Sequence, residues 1–498
     1  MRPQRTTHRV LTVIGLILAI AVSALEATVV ATAMPTVIGD LGGIHQYAWV
    51  SNAYLLASSV TVPIYGKLSD IYGRKPIMLF GIVMFLLGSV ASGAAQSMPQ
   101  LIAFRALQGL GAGAMQPMSL TITGDIFNLE ERARMQGLFG AAWGLFGLTG
   151  PMLGGVIVHY LSWRWVFYVN LPFGVAAAAL ILGALHERVE RRRHALDFLG
   201  AGLLSAGVIA LLLATGRSGG ISPLFTGAAA VFLLAAFIAA ERRAPEPLIP
   251  LPLFARPVLF VSSLTGAIIG GAMIATCTYV PLFVQGVLRG SPTDAGSAIT
   301  PMVIGWPIAS AVSGRLIPRL GFRPLIRVGL AITASAAVAL AFFAEGDTLN
   351  GLRLTTLAFG VGMGLSNTAL LIAVQTSVEW QQRGIVTAST TFFRTIGGAL
   401  AIGVMGGVLN AALSGDQSVP ADAASQLLNP EGLRALDPAL AERLGHALAG
   451  GLDTVFWIIA GMSVAGFLVT LWFPHVALVD HATPPAHPAA PEREAPPA

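Results

Sequence analysis

Charge is scarce in this 498-residue chain: 11% of its residues are charged, against about 25% in an ordinary soluble protein. With 55% apolar residues and a mean hydropathy of +0.74, there is too little polar material to cover a water-facing surface. A soluble fold is excluded, and the chain reads as an integral membrane protein. Cysteine is nearly absent as well. Cys277 stands alone in an apolar run, so neither an intramolecular disulfide nor a cysteine metal site can be assembled. Nucleotide chemistry has no foothold, because Gly66 and Lys67 are followed by Leu68 and no G-x-x-x-x-G-K-[ST] loop occurs. H-E-x-x-H and G-x-S-x-G are missing too, and the nine histidines are scattered without metal-ligand spacing. An enzyme, a metal site and a cofactor are therefore not expected. Any work against a gradient has to draw on another ion gradient.

What the chain has in quantity is long apolar runs. A bilayer core about 30 Å thick takes about 20 mostly apolar residues per helix. Runs of that kind fall at about 10–32, 47–66, 77–96, 99–123, 135–159, 164–186, 197–215, 222–240, 257–285, 294–314, 324–344, 352–376, 385–411 and 451–473. Fourteen spans place both termini on one side. With that side cytoplasmic, inner segments carry 21 of the 29 Lys and Arg and outer segments six, while Arg105 and Arg394 fall inside spans. This is the bias the positive-inside rule describes. The net charge of +5 is thus a topology signal, and no nucleic acid is expected as a partner. The opening run to Gly39 is too long for a cleaved signal core. Residues 412–450 form the one long outer loop, with room for a short surface helix, and 474–498 read as a disordered cytoplasmic tail.

GKLSDIYGRKP at Gly66 to Pro76 aligns without gaps on GRLIPRLGFRP at Gly314 to Pro324, an offset of 248 residues. Both copies follow a descending span, so two halves in parallel orientation are expected. They are a six-helix half at 1–186 and another at 257–473, joined by two inserted transmembrane helices with cytoplasmic linkers at 187–256. Parallel repeats of this kind are one architecture of secondary transporters, with the substrate site near mid-membrane between the halves.

Five strings in order, LEATVVATAMP at Leu25 to Pro35, GKLSDIYGRKP, FRALQGLGAG at Phe104 to Gly113, GLTGPMLGG at Gly147 to Gly155 and WRWVFYVNLPFG at Trp163 to Gly174, carry a family resemblance, extended by FFRTIGGALAIGV at Phe392 to Val404. The chain resembles the major facilitator superfamily, and within it the fourteen-span drug:proton antiporters of the EmrB/QacA type. The resemblance implies an all-α major facilitator fold in the plasma (inner) membrane. It also implies export of drugs or other small amphipathic compounds, driven by a proton gradient and needing no cofactor. Protons, substrate and the bilayer are then its partners, and a monomer is expected. Export of an endogenous amphiphile such as a lipid, siderophore or metabolite is the alternative within transport. A membrane receptor or structural protein is the alternative outside it.

Glu26 is the one acid deep in a span, where a charge costs on the order of 3 kcal/mol or more unless it meets a partner or a cavity. Helix rise puts it ~25 Å above Arg9, and Arg105 ~9 Å below the opposite surface of a ~30 Å core. A Glu26–Arg105 pair is therefore expected, either as a structural tie or as the protonatable coupling site that the resemblance implies. Asp70, Arg74, Lys75 and Asp125 come out together at the inner surface as a charge cluster, and the resemblance makes them a latch of the cytoplasmic gate. The second copy of the repeat has Pro318 where the first has Asp70. Gly147, Gly150, Pro151, Gly154 and Gly155 suit close helix packing and a bend, and the resemblance associates this motif with export. Candidate cavity residues are Asn52, Gln116, Trp143, Tyr279, Gln285, Trp306, Asn367, Gln375 and Arg394. In the family that the chain resembles, some members that expel dications carry an acid in the span of Arg394; none lies between Ile385 and Asn410 here, a departure that argues against multivalent cations as cargo.

Overall fold

The structure, a computed structural model, describes residues 7–127, 129–187, 197–215, 222–244, 251–344, 348–378, 383–413 and 437–476. All regular structure among them is helical. The helices are α1 (Arg9–Leu41), α2 (Tyr47–Tyr72), α3 (Arg74–Gly93), α4 (Met98–Ile126), α5 (Leu129–Tyr160), α6 (Trp165–Tyr168), α7 (Asn170–Ala184), α8 (Phe198–Thr215), α9 (Pro223–Glu241), α10 (Pro257–Gly286), α11 (Pro292–Leu320), α12 (Phe322–Ala341), α13 (Leu349–Thr376), α14 (Arg383–Leu413) and α15 (Pro438–Val469). Eleven stretches are long and apolar enough to cross a bilayer, α6 and α7 counting together as Trp165–Ala184. The helices α2, α4 and α8 fall outside that set. The first two are diluted by polar and charged residues such as Asp70, Arg105 and Asp125, and α8 offers only the shorter apolar segment Leu199–Leu211.

Helix ends follow backbone stops rather than hydropathy. The first helix runs past its apolar core to Leu41, where Gly42 turns to φ 70° and its N–H returns to the Ile38 carbonyl at 2.9 Å. The last begins at Pro438, capped by Asp437, whose carboxylate accepts from the Ala439 N–H at 3.3 Å. Residues 438–450, read from the sequence as part of the outer loop, therefore belong to α15. The middle of that loop, the tail beyond residue 476 and the arginines at 188–193 lie outside the described residues.

The internal repeat is realised in the backbone. Gly73 and Gly321 both end a helix with positive φ, 96° and 76°, a conformation that an L side chain rarely adopts. Each donates its N–H four residues back, at 2.9 Å to Ser69 and 2.8 Å to Ile317. The crossing of α3 on α4 places Gly81 against Ala114 and the Gly111 carbonyl. At the same offset Gly329 of α12 meets the Gly362 carbonyl of α13.

Helices α1 to α7 pack largely among themselves, and so do α10 to α15. The two bundles meet along α5 with α11, α2 with α14, and α1 with α10. The α8–α9 hairpin leans on this seam, where Leu204, Val208 and Phe237 gather Trp49, Leu55, Phe392 and Ala399 into one apolar cluster. On its other side α9 exposes Leu224, Phe225, Val231 and Phe232, a face that hydrocarbon can cover and water cannot.

Candidate functional site

A buried polar network occupies the N-terminal bundle. The side chain of Glu26, on α1, is fully buried and pairs through Oε1 with Nη1 of Arg105, on α4. Its other oxygen, Oε2, accepts from Nε2 of Gln108 at 2.9 Å and from Nδ2 of Asn170 at 2.8 Å. Gln108 lies one turn beyond Arg105 on the same face and accepts from its Nη1 at 2.6 Å. Ser89 of α3 accepts from both amides, at 3.3 and 3.2 Å, and donates to the Phe167 carbonyl at 2.8 Å. Arg105 reaches α2 as well. Its guanidinium lies 4.4 Å from the Tyr54 ring centroid, and its Nε donates to the Val50 carbonyl at 3.4 Å. Every group facing the carboxylate is a donor, so the arrangement is complementary to the ionised form. Breaking such a buried pair costs about 3–5 kcal/mol.

The seam between the bundles is tight at one end. Gly150 and Gly154 of α5 lie against Thr28 and Thr32 of α1, while Gly155 faces the Pro292 carbonyl of α11 at a distance that would leave a Cβ 2.8 Å away. The carbonyl of Pro151 sits in turn on Gly296. The glycine motif thus wedges α5 between α1 and α11 with bare backbone on both sides, the close approach that small residues permit. Beside it Gln285 of α10 accepts from Thr36 at 3.2 Å and donates to the Thr32 carbonyl at 3.3 Å. The Asn52 amide donates to the Ala399 carbonyl at 2.9 Å, and Asn410 donates to the His45 carbonyl at 2.7 Å. All of these lie toward the end opposite the Arg-rich loops.

At the basic end the pattern changes. A Cβ on Gly66, Gly140 or Gly314 would meet no heavy atom within 4 Å, and Lys75, Arg256 and Arg327 each bond a carbonyl of their own bundle. Among the described residues, the contacts named above that tie the bundles together gather at the end away from the basic loops.

Residues 16–402 match the Major Facilitator Superfamily. The chain belongs to that superfamily. It is 37% identical over 461 residues to the multidrug transporter protein MdtP of Bacillus subtilis, covering 90% of this chain and 83% of that relative. Multidrug resistance protein 3 of the same organism is 35% identical over 487 residues, 93% of this chain and 94% of its own length. Among solved structures, an inward-facing bacterial homologue of the human lysosomal transporter Spinster superposes with a TM-score of 0.67 at 16% identity, covering 95% of this chain and 98% of that one. The protein is a transporter of small molecules and not an enzyme.

The remaining candidates fall partly at the seam and partly away from it. Tyr279 is sealed in the seam, its ring 5.6 Å from that of Tyr47, which donates to the Thr278 carbonyl, and its own hydroxyl donates to the Ile402 carbonyl at 3.2 Å. Asn52 and Gln285 also hold the bundles together. Trp143 and Trp306 face each other across the seam with ring centroids 5.8 Å apart, just below its closed part. Gln116 is exposed, Asn367 is half-buried, and Gln375 donates to Thr387 at 3.0 Å.

Of the predicted inner cluster, the side chains of Asp70 and Asp125 lie outside the described residues. Among the described residues, the acid that meets the loop is Glu187, which the sequence reading passed over. It accepts the Arg74 N–H at 2.8 Å and the Lys75 N–H at 3.0 Å, and stands 3.7 Å from the Arg74 guanidinium. Glu187 begins a run of charges beyond the sixth span, where nothing local marks it out. Gln108, Asn170 and Ser89 were missed as well. The signal for the amides was there: a polar residue one turn from Arg105, and another in an apolar span.

Proposed function

We propose that this chain is a proton-coupled exporter of drugs or similar amphipathic compounds across the plasma membrane. In this reading it has fourteen spans, both termini cytoplasmic, and works as a monomer. The cleft between the bundles in this reading opens at the basic end, which by the positive-inside rule faces the cytoplasm, where an exporter loads. The observation that carries the reading is the carboxylate of Glu26, ringed by three side-chain donors and sharing Arg105 with α2.

Protonation of Glu26 removes the charge that holds Arg105. Arg105 then bears differently on Val50 and Tyr54, and α2 is the helix whose Asn52 grips α14 across the seam. A proton arriving at the first helix can in this way loosen or tighten the closed end. The charge cluster at the basic end, with Arg74, Lys75, Asp70 and Asp125, would close the opposite end when the outer one opens. Multidrug relatives support the substrate class, and the α5 glycines support a seam that can separate and re-form.

The test is substrate-induced proton release from detergent-purified protein in weak buffer. Glu26→Gln, which imitates the protonated form, is expected to abolish release while still binding substrate, and Glu26→Asp to retain part of it. Undiminished release from Glu26→Gln would place the proton site elsewhere.

A further inference from the structure

Arg394 lies eleven residues into α14, about 16 Å from its basic end by helix rise. A charge at such depth needs a partner or a wet cavity. Among the described residues nothing bonds or pairs with its guanidinium. Sequence removes the candidates too. The segments α8, α10, α13 and α14 contain no Asp or Glu, and the one acid of α9, Glu241, is its last residue, at the basic end. The acid of α2 is Asp70, three residues from its basic end, and those of α15, Glu442 and Asp453, belong to its far part.

The neighbours of Arg394 define where it points. Its stem lies over Gly270 of α10, too close for any Cβ there. Helix α15 packs on α10 and α14 both, with Met462 against Gly271 beside Gly397 and Ala401. The hairpin takes Phe392 and Ile396, and α2 takes Ala399 and Gly403 toward the closed end. What remains is the side toward the opposite bundle, the cleft of the proposed reading. Arg394 itself is half-buried, and none of its guanidinium nitrogens is among the sealed, unpartnered polar atoms of the described residues.

We propose that Arg394 is an anion-recognition point in the cleft, taking the carboxylate of an amphipathic substrate. The proposal rests on the reading of the cleft as the substrate path. A guanidinium offers a planar pair of donors that matches a carboxylate in a bidentate, charge-assisted contact. An unpaired one in a low-dielectric cleft discriminates by charge sign, since a cation there meets repulsion and an anion supplies the missing partner.

Equilibrium binding of two dyes with one ring system and opposite charge tests this. The probes are fluorescein, which carries a carboxylate, and rhodamine 6G, a cationic ester, titrated onto purified full-length protein in detergent. Arg394→Gln is expected to weaken fluorescein binding about tenfold or more and to leave rhodamine 6G unchanged or tighter. Arg394→Lys, which keeps the charge without the fork, should fall between. Equal loss of both dyes would make Arg394 a packing residue and overturn the proposal. So would unchanged fluorescein binding in Arg394→Gln, or no fluorescein binding by the unaltered protein. Because no gradient is involved, absent proton coupling would count against the proposed function alone.

Discussion

At the offset that aligns Gly73 with Gly321 and Gly81 with Gly329, Glu26 falls on Ile274 and Arg105 on Arg353. The two bundles therefore repeat a backbone plan and differ in what they bury. In the N-terminal bundle the first and fourth helices are joined by a buried ion pair with three neutral partners. In the C-terminal bundle Ile274 packs on Gly398, while Arg353 sits near a helix end, bonded to Ser297 at 2.6 Å and Asn350 at 2.9 Å. Backbone packing is what the repeat preserves, because glycine crossings and positive-φ turns set how helices cross. Charge is free to diverge: one bundle buries a carboxylate among three side-chain donors, and the other carries Arg394 with no bonded partner among the described residues.

The sharpest way to break this comparison is to remove each arginine in turn. Arg105→Ala strands a fully buried carboxylate, which costs about 3–5 kcal/mol. Gradient-driven transport in proteoliposomes should fall by more than about 100-fold. Arg353→Ala gives up hydrogen bonds at a partly exposed site, about 1 kcal/mol, and should leave transport within about twofold. Similar losses in both would mean that the bundles bear the coupling equally.

A second pair of variants probes what the bundles share. In Gly81→Val and Gly329→Val the new side chain meets a carbonyl of the facing helix, Gly111 and Gly362 respectively. Overpacking of this kind costs about 1–3 kcal/mol, and both variants should lose melting temperature to a similar extent. A large drop in one alone would show that the repeat in sequence is not a repeat in packing.

The Glu26–Arg105 pair was legible in the sequence because a charge in a span is rare and helix rise gives its depth. Its neutral partners were harder, since Gln108, Asn170 and Ser89 carry no charge and their convergence depends on how α3, α4 and α7 cross. Of the candidate cavity residues, Gln285 and Asn52 find hydrogen-bond partners in the opposite bundle, while the Tyr279 hydroxyl bonds a carbonyl of its own bundle and only its ring meets Tyr47 across the seam. Apolar runs located the helices well. Their ends were less legible, because α1 and α15 continue as far as their caps allow, beyond the hydrocarbon stretch. Glu187 was hidden by its charged surroundings, and only the fold brings it to the start of α3.

That residue gives the smallest expected effect and the finest distinction between the bundles. Its carboxylate receives the first two N–H groups of α3, where the helix dipole favours a negative charge by about 0.3–1 kcal/mol. No carboxylate does this for α12 among the described residues, although Gly321 repeats the turn. Glu187→Gln keeps one acceptor oxygen but turns an NH2 group toward a backbone donor, so the melting temperature should drop by a few degrees or less. Arg74 and Glu187 are 23% and 14% exposed, so solvent and salt screen part of the interaction. The difference between Glu187→Gln and the unaltered protein should therefore narrow when NaCl is raised to about 0.5 M, where the Debye length is under about 5 Å. A difference that stays constant with salt would make Glu187 a hydrogen-bonding cap whose charge is incidental. No difference at any salt would mean that α3 starts, as α12 does, on its glycine alone.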